Sequence, residues 1–246
     1  MNFRSSVLLI LLSTLLSACR LIEPSPAASS GFLAHDDKLA PLPERAPFNA
    51  GYIPDGKRLD NLKKVYHLFY FPPIEVLPLQ AKLKDDGLSP SEIEDRLSDA
   101  QELGNYLHER LKVEFANNNI VLSDTPTENQ FIWEIAIVEL RPTLAALNVA
   151  ATTAGFFIPG AGLVQRLGSG SIAIEGIIRD GKTGDILAEF KDRKADKNAL
   201  FSVRDYQQYS HARHTMDEWA EVFAKLASTT QDVKVEGSLP VTLNPF

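Results

Sequence analysis

The apolar residues of this chain recur with two periods, which predict where helices and strands lie. From Ser89 to Phe115 they return at every third or fourth position, which is typical of a helix with one buried face. Ser89 can cap this helix, and Glu92 can reach back to complete a capping box. A similar stripe that includes Trp219 predicts a second helix over residues 202–228. We therefore expect two long amphipathic helices.

Other segments have the composition and alternation of strands. Residues 64–77 are rich in aromatic and β-branched side chains and predict a strand that is interrupted by two prolines. Residues 120–123 predict a short strand, and residues 171–193 predict a hairpin that turns at 180–185. The segment 131–141 is apolar on both faces, which indicates a central strand. Its predicted faces are Phe131, Trp133, Ile135 and Ile137 on one side, and Ile132, Glu134, Ala136, Val138 and Leu140 on the other.

These elements do not alternate strictly between strand and helix. We therefore expect an α+β domain in which a mostly antiparallel sheet packs against two long helices. The domain is predicted to span residues 62–230, and residues 231–246 form a tail.

The first eighteen residues have the pattern of an export signal. Arg4 precedes an apolar run over residues 7–16, which is too short for a transmembrane helix of about 20 residues. The quartet Leu16-Ser17-Ala18-Cys19 follows and resembles the lipobox of bacterial lipoproteins. That resemblance implies cleavage between Ala18 and Cys19, with diacylglycerol and a further acyl chain such as palmitate on Cys19. The alternative is an ordinary signal peptide followed by a free thiol.

The residues after Cys19 predict which membrane holds the protein and how far the domain stands from that membrane. Arg20 stands where Asp would favour the inner membrane, so the resemblance implies the periplasmic face of the outer membrane, with the inner membrane as the alternative. Residues 19–61 contain six prolines and predict a lipidated N-terminus and extended linker that would let the domain stand well away from the bilayer. Part of this linker is expected to dock, because it carries Phe32, Leu33, Phe48, Tyr52 and Ile53.

Composition narrows the range of partners. A net charge of −7 over 246 residues disfavours binding to nucleic acid. The single cysteine excludes a fold stapled by disulfides within the chain. We predict no cofactor, because the glycine-rich stretches 160–162 and 168–170 lack the lysine or the spacing of phosphate-binding loops.

Residues 142–165 carry no charge, which is unusual in an acidic chain. Three interpretations compete: a helix inserted in a membrane, a loop buried against a partner subunit, and an internal crossover of the domain. Breaking residues such as Gly155 and Pro159 favour the second and third interpretations.

The candidate polar cluster consists of Glu175, Arg179, Asp192 and Arg193, which a hairpin would bring near one another. Strand-face ion pairs are the simpler interpretation, and a catalytic carboxylate at Glu175 is the sharper one. His67, His211 and His214 lack the further ligands of a metal site. We therefore predict neither a catalytic constellation nor a metal site.

Several short motifs resemble a bacterial lipoprotein family catalogued as domain-of-unknown-function family 3313. Besides the lipobox, the matching pieces are Ser30-Gly31-Phe32-Leu33, residues 39–41, Ile174-Glu175, Arg179-Asp180, Thr183-Gly184, Asp192-Arg193, Ala212-Arg213 and Trp219-Ala220. The resemblance implies a domain facing the periplasm and supplies no activity.

Three functions remain open at this point. The favoured one is a membrane-anchored envelope lipoprotein with a non-catalytic role in binding or assembling another envelope protein. The second is a periplasmic hydrolase that uses Glu175, Asp192, His211 and His214. The third is an oligomer that inserts residues 142–165 into a membrane.

Overall fold

The computed structural model describes residues 26–42, 46–142, 170–195, 209–229 and 233–237. The predicted signal peptide, the lipobox at Cys19 and all of the uncharged segment except Pro142 lie outside these ranges.

A six-stranded sheet and four helices form the described fold. The strands are β1 (Ala50–Tyr52), β2 (Leu68–Tyr70), β3 (Val121–Leu122), β4 (Gln130–Arg141), β5 (Ser171–Asp180) and β6 (Ile186–Ala195). The helices are α1 (Gly56–Lys63), α2 (Leu77–Asp85), α3 (Pro90–Asn117) and α4 (Ser210–Ser228). A short 3-10 turn spans Asp36–Lys38.

The sheet has the strand order β1-β6-β5-β4-β2-β3. The neighbours β1 and β6, β6 and β5, and β5 and β4 are antiparallel, whereas β2 pairs in parallel with β4 and with β3. The predicted α+β class with a mostly antiparallel sheet is confirmed.

The two long helices cover one face of this sheet, which we call the helix face. Leu107, Leu111 and Phe115 of α3 are completely buried there, together with Trp219 and Phe223 of α4. Full burial of a side chain of this size contributes about 1.5–3 kcal/mol to stability. This layer contains most of the buried apolar side chains and is therefore the main core. The other side of the sheet, which we call the strap face, carries Ala136, Val138 and Ala173.

The start and end of α3 follow the local sequence. Ser89 accepts a hydrogen bond from the backbone N–H of Glu92, and the Glu92 carboxylate accepts one from the backbone N–H of Ser89 at 2.9 Å. The helix ends at Asn117, and Asn119 adopts a positive φ of 57°. Asparagine tolerates this left-handed conformation better than most residues.

A β-bulge alters the predicted faces of the central strand. The pairing of β4 with β5 shifts between Ile137 and Glu139, so one extra residue lies on β4. Beyond that point the alternation is inverted, and Leu140 packs in the core on the helix face with Ile137. The prediction that Leu140 shares a face with Val138 was therefore wrong.

Two other segments differ from their predicted structure. The predicted strand over residues 64–77 forms a strand only at β2, with one further parallel bridge from Glu75 to Ala136 of β4. The helix α2 begins at Leu77, where Leu79 and Leu83 provide an apolar stripe. The predicted linker over residues 19–61 contributes β1 and most of α1 to the fold.

Candidate functional site

Residues 26–42, which we call the strap, cross the sheet on the side opposite the long helices. Ala27 and Phe32 of the strap pack against Ala136, Val138 and Ala173 of the strap face. At its far end, Ala40 exchanges backbone hydrogen bonds with Gly51 of β1 at 2.8 and 3.0 Å. The strap is therefore part of the folded body, as the apolar residues Phe32 and Leu33 led us to expect.

Glu175 is the most buried acidic group under the strap. It has no solvent exposure, and its Oε2 accepts a hydrogen bond of 2.5 Å from the Ser30 hydroxyl. Its other oxygen, Oε1, has no hydrogen-bond partner within the part of the chain that the structure describes. Burial raises the pKa of Glu175 above the usual glutamate value, and it outweighs the opposing effects of Ser30 and Lys191.

Two charged residues of β6 also hold the strap. The Glu189 side chain is completely buried and accepts hydrogen bonds from the backbone N–H of Ala34 at 2.7 Å and from Nδ1 of His35 at 2.8 Å. Two residues further along β6, Lys191 forms an ion pair with Asp36 in the 3-10 turn. Residues at the same side of β6 thus bind successive positions of the strap.

Asp192 points to the opposite face and joins three elements. Its Oδ2 accepts a hydrogen bond of 2.8 Å from the indole N–H of Trp219 in α4, and its Oδ1 accepts one of 3.1 Å from the backbone N–H of Asn49. Burial raises the pKa of Asp192 and outweighs the nearby Lys194 ammonium. This carboxyl fixes α4 and the segment before β1 to β6.

The other two candidates, Arg179 and Arg193, bind glutamates on β4. Nε of Arg179 lies 2.9 Å from Glu134, and Nε of Arg193 lies 2.7 Å from the buried Glu139. In place of the expected ion pairs within the β5–β6 hairpin, Arg179 of β5 pairs with the neighbouring strand β4, and Arg193 of β6 reaches past β5 to β4. The Ser171 hydroxyl also donates to Glu139. Burial alone would raise the pKa of Glu139, but the hydrogen bonds from Ser171 and Arg193 outweigh it and lower the pKa.

The four groups of the hydrolase hypothesis do not converge. Glu175 is directly opposite Lys191 in the ladder, whereas Asp192 is opposite Ile174, so the two carboxyl groups point to different faces of the sheet. His214 is largely exposed on α4 and pairs with Glu218 at 3.1 Å. The proton-transfer contacts of about 2.6–3.2 Å that such a site requires are not formed between these two carboxyl groups.

No group of three or more potential metal ligands occurs within the described ranges. His67, which the sequence raised as a possible ligand, is exposed just before β2. None of the described helices has the length and apolarity needed to cross a membrane.

A second charged cluster that sequence reasoning missed holds the β5–β6 turn. Arg58 of α1 binds Asp180 at 2.7 Å and Asp185 at 2.8 Å, and the Tyr66 hydroxyl donates to Asp180 at 3.0 Å. Burial alone would raise the pKa of Asp180. Hydrogen bonds from Arg58 and from the backbone N–H of Lys182 outweigh burial and hold this pKa below its usual range. Asp180 therefore anchors the turn to α1.

A known family model matches most of the chain. The model of the family described as "Protein of unknown function (DUF3313)" matches residues 29–223. The chain belongs to this family. The resemblance drawn from the short motifs is thereby confirmed.

Several of the motifs that carry the DUF3313 resemblance lie at the contacts described above. Ser30 binds Glu175, Asp192 binds Trp219, and Asp180 anchors the turn that contains Thr183. These motif residues thus supply one side of contacts between segments that are distant in the sequence. The sequence alone does not show which of these distant segments contact one another.

Solved structures that resemble the chain include the following two. A PelC dodecamer from Paraburkholderia phytofirmans is 10% identical, with a TM-score of 0.35, over 66% of this chain and 90% of that chain. A minor lipoprotein from Acinetobacter baumannii is 16% identical, with a TM-score of 0.32, over 67% of this chain and 92% of that chain. No curated protein matches the chain.

The sequence did not predict as a group the residues that hold the strap to the sheet, which include Ser30, His35, Asp36, Glu189 and Lys191. One clue was present, because Glu189 and Lys191 flank Phe190 on a strand that is otherwise mostly buried. Charged residues at alternate positions of a buried strand require partners. The partners themselves are about 155 positions away in the sequence.

Proposed function

We propose that this protein is a lipoprotein of the bacterial envelope, lipidated at Cys19, whose body binds or helps to assemble another envelope protein without catalysing a reaction. The lipobox pattern supports the anchor, and the placement on the periplasmic face of the outer membrane rests on Arg20 following Cys19. Three acyl chains would hold the protein stably, since more than one chain is needed for lasting attachment.

The observation that supports this proposal best is the docked strap. The chain from Cys19 to residue 26 spans at most about 25 Å when fully extended, whereas a free linker from residue 19 to residue 61 would span about 150 Å. Because the strap is bound to the sheet, the lipid holds the body close to the bilayer. This replaces our expectation that the body stands well away from it.

The contacts of the polar side chains support a binding role over a catalytic one. Glu175, Asp192, Arg179 and Arg193 each bind a neighbouring segment, and these contacts connect the strap, the sheet and α4. They build a rigid body that an anchor presents at the membrane surface. A partner surface on residues 142–165 belongs to the same proposal.

Crosslinking in intact cells, followed by identification of the crosslinked proteins, tests this function. Three proteins are compared: wild type, Cys19→Ser, and a deletion of residues 148–163 whose folding is checked by thermal melting. We expect wild type to yield one reproducible envelope partner or a second copy of itself, and the folded deletion to lose it. Cys19→Ser should leave the membrane fraction or remain unprocessed. Failure to recover any reproducible partner, or full retention by the deletion, would contradict the binding role.

A further inference from the structure

An apolar cavity of about 90 Å³ lies between the helix face of the sheet, α1 and the last turns of α4. Its walls include Leu59 of α1, Ala188 and Phe190 of β6, Trp133 of β4 and Phe223 of α4. The cavity is partly open to solvent. It adjoins the end of the strap, since Leu42 and the strap-binding residue Glu189 also line it, whereas the contacts of Ala27 and Phe32 lie on the other face of the sheet.

Packed aromatic rings keep this cavity from collapsing. Phe223 contacts Trp133 edge-on with ring centroids 5.5 Å apart, and it contacts Phe190 at 5.4 Å. Phe190 in turn stacks on Phe48 at 4.6 Å. A wall of interlocked rings cannot move inward without breaking these contacts, so the space persists.

The cavity offers almost nothing to a polar ligand. Lys63 and Glu189 are the polar residues among its lining residues. The Glu189 carboxylate is bound by the strap, and the Lys63 ammonium donates to the backbone carbonyls of Leu226 at 2.7 Å and Thr229 at 3.0 Å. Water is stable in a cavity only with two to four polar partners, so these walls favour hydrocarbon.

We propose that this cavity binds the hydrocarbon end of a single acyl chain. A chain of methylenes is slender, has no polar atoms and can enter through the open side while its polar end stays outside. An apolar cavity of about 150 Å³ is known to bind benzene, so a volume of this order accepts a few carbons. The proposal rests on the proposed function in one respect, because the anchor places the cavity within reach of membrane lipid.

Quenching of tryptophan fluorescence by a brominated acyl chain tests the proposal. The chain contains two tryptophans, of which Trp133 lines the cavity and Trp219 does not. The protein used is the mature chain with Cys19→Ser, so that no acyl chain of its own competes. The probe is stearate brominated near its methyl end, with plain stearate as a competitor. We expect saturable quenching that Trp133→Phe removes.

Ala188→Leu places three more carbons in the cavity and should weaken binding at least tenfold without lowering the melting temperature. Ala116→Leu, the same change at an exposed position of α3, should bind like the parent. Unchanged binding by folded Ala188→Leu, equal quenching in Trp133→Phe, or no saturable quenching would each overturn the proposal. If Ala188→Leu does not fold, Trp133→Phe decides alone.

Brominated lysophospholipid in a parallel titration distinguishes membrane lipid from free fatty acid as the source. Processing at Cys19 is scored separately, by the mass of the wild-type protein from membranes, so either idea can fail without the other.

Discussion

Glu189→Gln should release the strap while the rest of the body stays folded. The Glu189 carboxylate lies under the strap without solvent exposure and accepts hydrogen bonds from Ala34 and His35. Glutamine has nearly the same shape but only one accepting atom at its end. Its oxygen can keep the bond from the Ala34 amide, and its NH₂ group can donate to Nδ1 of His35 only in the imidazole tautomer protonated at Nε2, so both bonds lose the carboxylate charge.

The structure sets the size of this effect. A hydrogen bond to a charged group contributes about 1.5–3 kcal/mol and a neutral one about 0.5–1.5 kcal/mol, so the two bonds together lose about 1.5–3 kcal/mol. The strap ties down few large apolar side chains, chiefly Phe32 and Leu33, so it should open separately from the core. Because about 1.4 kcal/mol corresponds to a factor of ten, the open population should rise by roughly 10- to 150-fold.

Hydrogen exchange measured amide by amide provides the assay. The amides of Phe32 and Ala34 in the strap should exchange faster by that factor, whereas those of β5 should keep their protection. Glu221→Gln serves as the control, since this exposed α4 residue pairs only with Lys225 on its own helix among the contacts described. The reasoning is refuted if strap amides keep their exchange rates, or if strap and β5 amides accelerate together.

Three further predictions concern single substitutions. Gly176→Ala should destabilise the protein by about 1–3 kcal/mol in urea unfolding, because the new Cβ would lie 2.2 Å from the ring of Phe190; an effect near zero would contradict the packing described. Glu175→Gln should flatten the pH dependence of stability. Because burial raises its pKa, Glu175 contributes stability that is present at acid pH and lost as the pH rises through the raised value, so the variant should gain on wild type from acid to neutral pH; a constant difference would argue against this. Ser89→Ala should cost about 1 kcal/mol by loss of the helix cap, whereas Ser98→Ala in the same helix should cost almost nothing, and equal urea midpoints for the two would refute the assignment.

Features set by neighbouring residues could be predicted from the sequence. The start of α3 depends on a side chain three positions from its partner, so the capping box was visible directly. The bulge near Val138 was not visible, because an extra residue in a strand leaves no mark in the alternation before it. Residues 64–77 have strand composition, but they form a continuous strand only at Leu68–Tyr70, with a single further bridge at Glu75.

The polar contacts depend on pairs that are far apart in the chain. The four candidate residues Glu175, Arg179, Asp192 and Arg193 lie on strands, yet each binds a group other than the expected one. Ser30 and Glu175 are 145 positions apart. A single sequence does not reveal such a pair, because nothing local to either residue specifies the other.

The most direct test of this account is intact-mass and N-terminal peptide analysis of the protein extracted from its native membrane. The account predicts a chain that begins at Cys19 and carries the mass of diacylglycerol with a further acyl group on that residue. A protein that retains Met1, or whose first residue bears no acyl mass, would contradict it.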